Sequence, residues 1–252
     1  MQVIVNQNLQ EAYKDQYSSE SAIWRQLGAK QKFQNIIEIT GGKTFQKVLE
    51  VGAGDGSILK LLSDNKFAQE LHAVEISESG VTQIRAKNIE LLKSVELFDG
   101  YKLPFDDKSF DLVILSHVLE HVEHERILLR EIHRVTKQLV IEVPKDYRFG
   151  AENKLSHFLA YGHINLYTPT SLKFLLMTEN FKIERELTRL YHQDTFLFGK
   201  KTFLQKLKAN LAFYGKSLMI GTPFKYVNHK FINTITLLVE SENKELNIFR
   251  YE

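Results

Sequence analysis

The chain has no cysteine among its 252 residues. That excludes disulfides, thiolate-held metals and any reaction that runs through a cysteine nucleophile. Net charge is almost absent too: 33 Lys and Arg against 31 Asp and Glu leave +2, so no global field calls for a nucleic-acid partner. No apolar run approaches the ~20 residues needed to span a bilayer. The segment Met1–Gln7 has neither the basic flank nor the apolar core of a signal peptide, and the expected location is the cytoplasm. The apolar fraction of 43% and charged fraction of 25% are ordinary for a globular protein. The length suits one sizeable domain with a lid, without a second full domain.

Glycine is sparse, with 13 in the chain, yet three fall within five residues in Val48-Leu49-Glu50-Val51-Gly52-Ala53-Gly54-Asp55-Gly56. An apolar strand here runs into a tight turn, and a second apolar strand ends at Val74-Glu75, 19 residues beyond Gly56. Glycines let the backbone approach a ligand without a Cβ in the way. A carboxylate at the end of the next strand can accept from both hydroxyls of a ribose. The spacing is G-x-G-x-G, not the G-x-G-x-x-G of dinucleotide folds. Asp55 in the turn would repel a pyrophosphate and suits a cationic ligand bearing an ammonium and a sulfonium.

Three further apolar runs follow, ending at Phe98-Asp99-Gly100, at Phe110 to His117 and at Leu139 to Pro144. With the first motif and the string Ser116-His117-Val118-Leu119-Glu120-His121-Val122, the chain resembles the class I S-adenosylmethionine-dependent methyltransferases over about residues 45 to 190. The fold this implies is a Rossmann-like, doubly wound α/β sheet of seven strands, mostly parallel, with an antiparallel last strand. Strands are expected near 47–51, 71–75, 95–98, 110–116, 138–143, 181–191 and 232–240. Residues 1–40 form an N-terminal helical cap, with Ile23, Leu27, Phe33, Ile36 and Ile37 on one helical face. The cofactor core runs 41–190, a lid insertion 191–231, and the last strand and tail 232–252.

The resemblance implies a cofactor, S-adenosylmethionine, and roles for particular residues. Gly52, Ala53, Gly54 and Gly56 would line its methionine and sugar, with Glu50 supporting the loop. Glu75 would take the ribose hydroxyls, Ile76 would pack on the adenine, and Asp99 would accept from its amino group beside Gly100. Ser116 and His117 lie at the carboxyl end of the fourth strand, where open sheets bind ligands. Tyr17 is the candidate contact from the N-terminal cap. Because the sulfonium makes a strong leaving group, the protein must chiefly align the reactants. A general base is needed if the acceptor is a hydroxyl or protonated amine. His163 and His121 are the candidates, with Tyr161 as an orienting group; His163 lies in Gly162-His163-Ile164-Asn165-Leu166-Tyr167, resembling the G-H-x-N-x-Y/F string of such enzymes. His163 as a hydrogen-bonded hinge is the other reading.

His117 and His121 share i, i+4 spacing, but no carboxylate of clear assignment accompanies them, so no metal is expected. The absence of an Asn/Asp-Pro-Pro-Tyr string and of a paired-glutamate loop removes nucleic-acid bases and protein arginine as acceptors of those types. A small molecule, a sugar or lipid-linked glycan, or a quinone-like phenol remains, methylated on oxygen or nitrogen. Thr136-Lys137-Gln138 stands where relatives usually carry a Pro-Gly turn. Between Thr195 and Val239 there are seven lysines and no acidic residue, read as a basic lid over the site, or as a contact for an anionic substrate or a membrane surface holding a lipid-linked one. Two other functions stay open: a cofactor-binding but silent partner subunit, and a nicotinamide oxidoreductase, which the glycine spacing disfavours.

Overall fold

The computed structural model describes residues 22–147, 155–220, 222–223 and 225–243; Tyr17 lies outside them. Seven strands form one sheet: β1 (Phe45–Val51), β2 (Ala68–Glu75), β3 (Leu92–Leu97), β4 (Phe110–Ser116), β5 (Thr136–Pro144), β6 (Phe181–Arg189) and β7 (Thr234–Ser241). Their order is β3-β2-β1-β4-β5-β7-β6. β7 is antiparallel to both its neighbours and every other pairing is parallel.

Strand alternation builds a core on each side of this sheet. Leu49, Val51, Val113, Leu115, Leu139 and Ile141 face one side, and Val48, Leu112, Ile114 and Val140 the other. All ten are fully buried, each contributing roughly 1.5–3 kcal/mol of transfer free energy. Buried on both faces, the central strands need the near-continuous apolar runs seen in the sequence. The chain leaves β1 toward β2 on one side and reaches β4 on the other. That topological switch opens a crevice at the carboxyl ends of β1 and β4.

The helices cover this frame. They are α1 (Ala22–Ile39), α2 (Ser57–Asp64), α3 (Glu78–Ala86), α4 (Glu125–Val135), α5 (Leu155–Tyr161), α6 (Pro169–Thr178), α7 (Gln193–Leu197), α8 (Phe203–Ile220) and α9 (Lys225–Phe231), with a 3-10 turn at Leu119–His121. Local chemistry sets their ends. Thr168 and Ser171 form a reciprocal capping box with Pro169 in the first turn of α6, and Asn180 just beyond it is left-handed. At Thr136, α4 runs straight into β5. The buried Thr136 hydroxyl donates to Gln138 O at 2.8 Å, and Lys108 Nζ donates to the carbonyls of His133 and Thr136, so no Pro-Gly turn is required there.

Two expectations need correction. Ile36 and Ile39 of α1 are buried, but Ile23 is 64% exposed. The amino-terminal half of α1 leaves the sheet and runs along the crevice, which it lines with Trp24, Arg25, Gly28, Ala29, Gln31 and Lys32. Among its described residues, the segment 191–231 supplies Tyr191 and Thr195 to that crevice and none from α8. The long basic helix therefore stands beside the site instead of roofing it, held through Ala209 and a Phe213–Phe196 ring contact at 5.5 Å.

Candidate active site

The crevice is a cavity of about 920 Å³. Its first half is the turn after β1. Gly52, Gly54 and Gly56 all have positive φ, at 70°, 59° and 75°, so three peptides turn in quick succession. At Gly52 a Cβ would lie 2.5 Å from Val118 Cγ2, too close for any side chain. Glu75 locks the turn: its Oε2 accepts from Gly54 N at 2.8 Å and its Oε1 from Ser77 N at 3.2 Å. Burial pushes its carboxyl upward in spite of these bonds. Each carboxylate oxygen keeps a further lone pair for a ribose hydroxyl. The adjoining wall is Ile76, Phe98, Asp99 and Gly100, with Asp99 Oδ1 accepting from the amides of Tyr101 and Lys102 at 2.8 and 2.7 Å. A slot with an apolar face and one carboxylate matches a flat amino-purine.

Of the residues expected at the cofactor, Glu50, Gly52, Ala53, Gly54, Glu75, Ile76, Asp99, Gly100, Ser116 and His117 all line this cavity. Gly56 does not. It sits behind the turn, where a Cβ would come 3.0 Å from Ile84 Cγ1. Its role is to shape the loop and seat α3. Gly80 was not foreseen: a Cβ there would lie 2.8 Å from Gly54 O, so the glycine turn needs a second glycine on the neighbouring helix. The string G-V in Ser79-Gly80-Val81 gives no hint of that contact.

Buried carboxylates surround the middle of the cavity. Burial pushes Glu50 up to about 8, with Lys32 opposing and Asp55 and Glu75 adding to the rise; its Oε2 has no hydrogen-bond partner. Glu142 is as deeply placed but well served. Burial would raise its carboxyl, yet bonds from His117 Nε2 (3.1 Å), Asn35 Nδ2 (2.7 Å) and Thr236 Oγ1 (2.7 Å) outweigh it and hold it below the usual range. Lys32 reaches in from α1, its ammonium pKa lowered by burial against the pull of Glu142, Glu120, Glu50 and Asp55. The Glu142 carboxylate, held in its charged form, gives this acidic lining a preference for a cationic ligand. The unpartnered Glu50 Oε2 and Ser116 Oγ are groups a bound molecule would satisfy. By glycine cradle, acidic lining and orphaned polar atoms, these residues fit S-adenosylmethionine.

The other half is built from residues far apart in sequence. His163 Nδ1 lies 2.5 Å from Asp146 Oδ2, and the His121 and His163 rings meet edge to face at 4.9 Å. His121 Nδ1 is 3.0 Å from Gly162 O; since that carbonyl only accepts, Nδ1 carries the proton. Burial lowers the His121 pKa. Asn165 fixes the loop, donating through Nδ2 to Val122 O at 2.7 Å and through its amide to Glu120 O at 3.0 Å. Tyr161 lies 5.8 Å from His163, ring to ring. The three expected catalytic residues are thus brought to one wall.

The i, i+4 pairing of His117 and His121 does not form. His117 is left-handed at φ 57° and only a 3-10 turn follows, so His117 turns to Glu142. The structure instead groups Glu120, His121 and His163, one ligand-capable atom of each within 4.8 Å of the others. Asp146, Glu120, Glu142 and Lys32 were missed by sequence reasoning. For Glu142 a signal existed, since a carboxylate inside the apolar run Val140-Ile141-Glu142-Val143 of a central strand asks for a partner.

Known proteins resemble this chain in sequence and in fold. A family model described as a methyltransferase domain matches residues 49–140. YrhH of Bacillus subtilis (strain 168), assigned by name to the methyltransferases, is 30% identical over 122 residues, 46% of this chain and 68% of that protein. The ubiquinone/menaquinone biosynthesis C-methyltransferase UbiE of Cupriavidus taiwanensis is 30% identical over 119 residues, 44% of this chain; the match spans about half of that relative, 49%. In fold, a chain from the complex between the Haloferax volcanii Trm112 methyltransferase activator and its methyltransferase partner superposes with a TM-score of 0.66 at 15% identity, covering 94% of this chain and 99% of that one. A phosphoethanolamine N-methyltransferase of Haemonchus contortus, solved with S-adenosylhomocysteine, also gives 0.66 at 12% identity, covering 94% and 60%. Sheet order, glycine cradle, ribose-side carboxylate and a relative matched over two-thirds of its length converge, and the chain belongs to the class I S-adenosylmethionine-dependent methyltransferases.

Proposed function

We propose that the chain moves a methyl group to an ionisable oxygen or nitrogen of a small molecule or sugar, with the His163–Asp146 pair receiving the proton. The observation that carries this reading is the 2.5 Å contact between His163 Nδ1 and Asp146 Oδ2 on the cavity wall. A carboxylate held there keeps the proton on Nδ1, so Nε2 is left as the base and the imidazolium that forms is stabilised. Glu75 would hold the ribose, Ile76 and Phe98 the adenine face, and the turn 52–54 the methionine end. The cofactor supplies an electrophilic methyl on a sulfonium that departs as a thioether. The protein's residues fix the acceptor in line, an alignment worth up to ~7–11 kcal/mol. They also exclude water and take one proton, worth roughly 10²–10⁴-fold.

The C-methyltransferase activity for which the UbiE relatives are named favours a second reading, transfer to carbon. A phenol-like acceptor that loses its hydroxyl proton to His163 places charge on the ring carbons, so the same base would serve. Turnover assays over amines, sugars and phenols, with mass and NMR analysis of each product, separate the two. An O- or N-methyl product supports the first reading; a C-methyl product replaces it. Absence of turnover in a protein that binds S-adenosylhomocysteine would favour a silent partner subunit.

A further inference from the structure

Helix α8 turns its apolar side to solvent. Phe203, Leu204, Leu207, Leu211, Tyr214 and Leu218 are all exposed, Phe203 by 81% and Leu218 by 76%. At ~100° per residue, their positions fall within an arc of about 100°. The face that packs on the protein lies roughly opposite, around Ala209, Phe213 and Ile220. The stripe is therefore not a core face caught between contacts. It has the width of a burying surface, and its six side chains stay exposed; only at its edge does Gln193 reach it, donating to Tyr214 Oη at 3.4 Å among the described residues.

Its borders carry one sign of charge. Exposed Lys206 and Lys208 flank the stripe on opposite sides, and exposed Lys200 and Lys201 precede it. No acidic residue occurs from Thr195 to Val239. A second copy packed about a two-fold axis would set these lysines against their own images. An apolar stripe between lysines matches one surface directly: acyl chains below anionic headgroups. No helix among the described residues is long and apolar enough to cross a membrane, so the fit is to the interface.

We propose that α8 docks the protein on an anionic lipid surface, with the stripe inserted at the headgroup boundary and the lysines on the phosphates. The neighbouring α7 links this surface to the site. Gln193 donates to Asn210 of α8 at 2.8 Å, while Thr195 of the same short helix lines the cavity. Docking thus sets one wall of the acceptor crevice close to the lipid face.

The test is co-sedimentation of the 252-residue chain with vesicles of phosphatidylcholine alone, or with about one-third phosphatidylglycerol, at low and high salt. Light scattering without vesicles runs beside it. Binding to the anionic vesicles alone is expected, weakened by salt and reduced roughly thirtyfold in Lys206→Gln/Lys208→Gln. Leu207→Asp/Leu211→Asp should abolish it. Both variants should bind S-adenosylhomocysteine as the parent does, since neither pair touches the cavity. Failure of the parent chain to bind anionic vesicles overturns the proposal. So does equal binding by the variants. A dimer that Leu207→Asp/Leu211→Asp splits, without vesicle binding by the parent, gives the face to a second copy.

Discussion

The two halves of the cavity are built on opposite principles. In the glycine half, adjacent segments do the work: Glu75 bonds the amides of Gly54 and Ser77, and the ligand-facing backbone is fixed by short-range turns. In the histidine half, β4, β5, the 3-10 turn and the loop before α6 each contribute one or two side chains. There Glu120 is fully buried with neither oxygen hydrogen-bonded. His117 Nδ1 and His121 Nε2 stand 3.5 and 3.8 Å from Glu120 Oε1, beyond hydrogen-bond length. One half has its backbone fixed by its own hydrogen bonds. The other holds unsatisfied polar atoms at the place where an acceptor would bring protons and dipoles.

The contrast makes the halves separable by mutation. The largest effect is expected at His163: alanine should lower turnover by roughly 10²–10⁴-fold and leave S-adenosylhomocysteine affinity unchanged by calorimetry. Asp146→Asn should lower turnover less, since the asparagine no longer stabilises the imidazolium. Equal losses of affinity and turnover in His163→Ala would merge the halves again.

Glu75→Gln should act the other way. Losing a charged acceptor of about 1.5–3 kcal/mol weakens S-adenosylhomocysteine binding by roughly ten- to a hundredfold, without a comparable change in rate at saturating cofactor. Titration calorimetry of that variant checks it.

Glu50 sharpens the comparison through pH. Its folded pKa, about 8, is above the unfolded 4.5, so the folded state holds a proton that the unfolded state has released between these values. Stability from this group is therefore greatest below pH 4.5 and is lost as pH rises through 8. Denaturation midpoints for the parent chain and Glu50→Gln across that window should converge at low pH and separate toward high pH, with glutamine the more stable. The smallest effect concerns Glu120, His121 and His163: a chelator should change turnover less than about twofold if this group acts in proton transfer alone. A loss restored by one divalent ion would make these residues ligands.

The glycine half was legible because its determinants are local. Gly52, Gly54 and Glu75 report themselves by spacing along β1, its turn and β2. The sheet was legible for a similar reason, since strands buried on both faces must be apolar throughout. Only ends shifted, as at β3, which starts at Leu92. The histidine half was legible in residue type but not in pairing. Nothing in the sequence joins Asp146 to His163, 17 residues away. The helical spacing of His117 and His121 misled because φ 57° at His117 breaks the helix before it starts. The position of α8 was hidden for a third reason: an apolar stripe reads as core whichever way it faces.

The central claim is that the glycine half is a preformed site for S-adenosylmethionine. Its most direct test is calorimetric titration of the purified chain with S-adenosylhomocysteine, with NADH as control. The account predicts one saturable site for S-adenosylhomocysteine and no heat of binding for NADH. A folded protein that binds NADH, or binds neither, would contradict it.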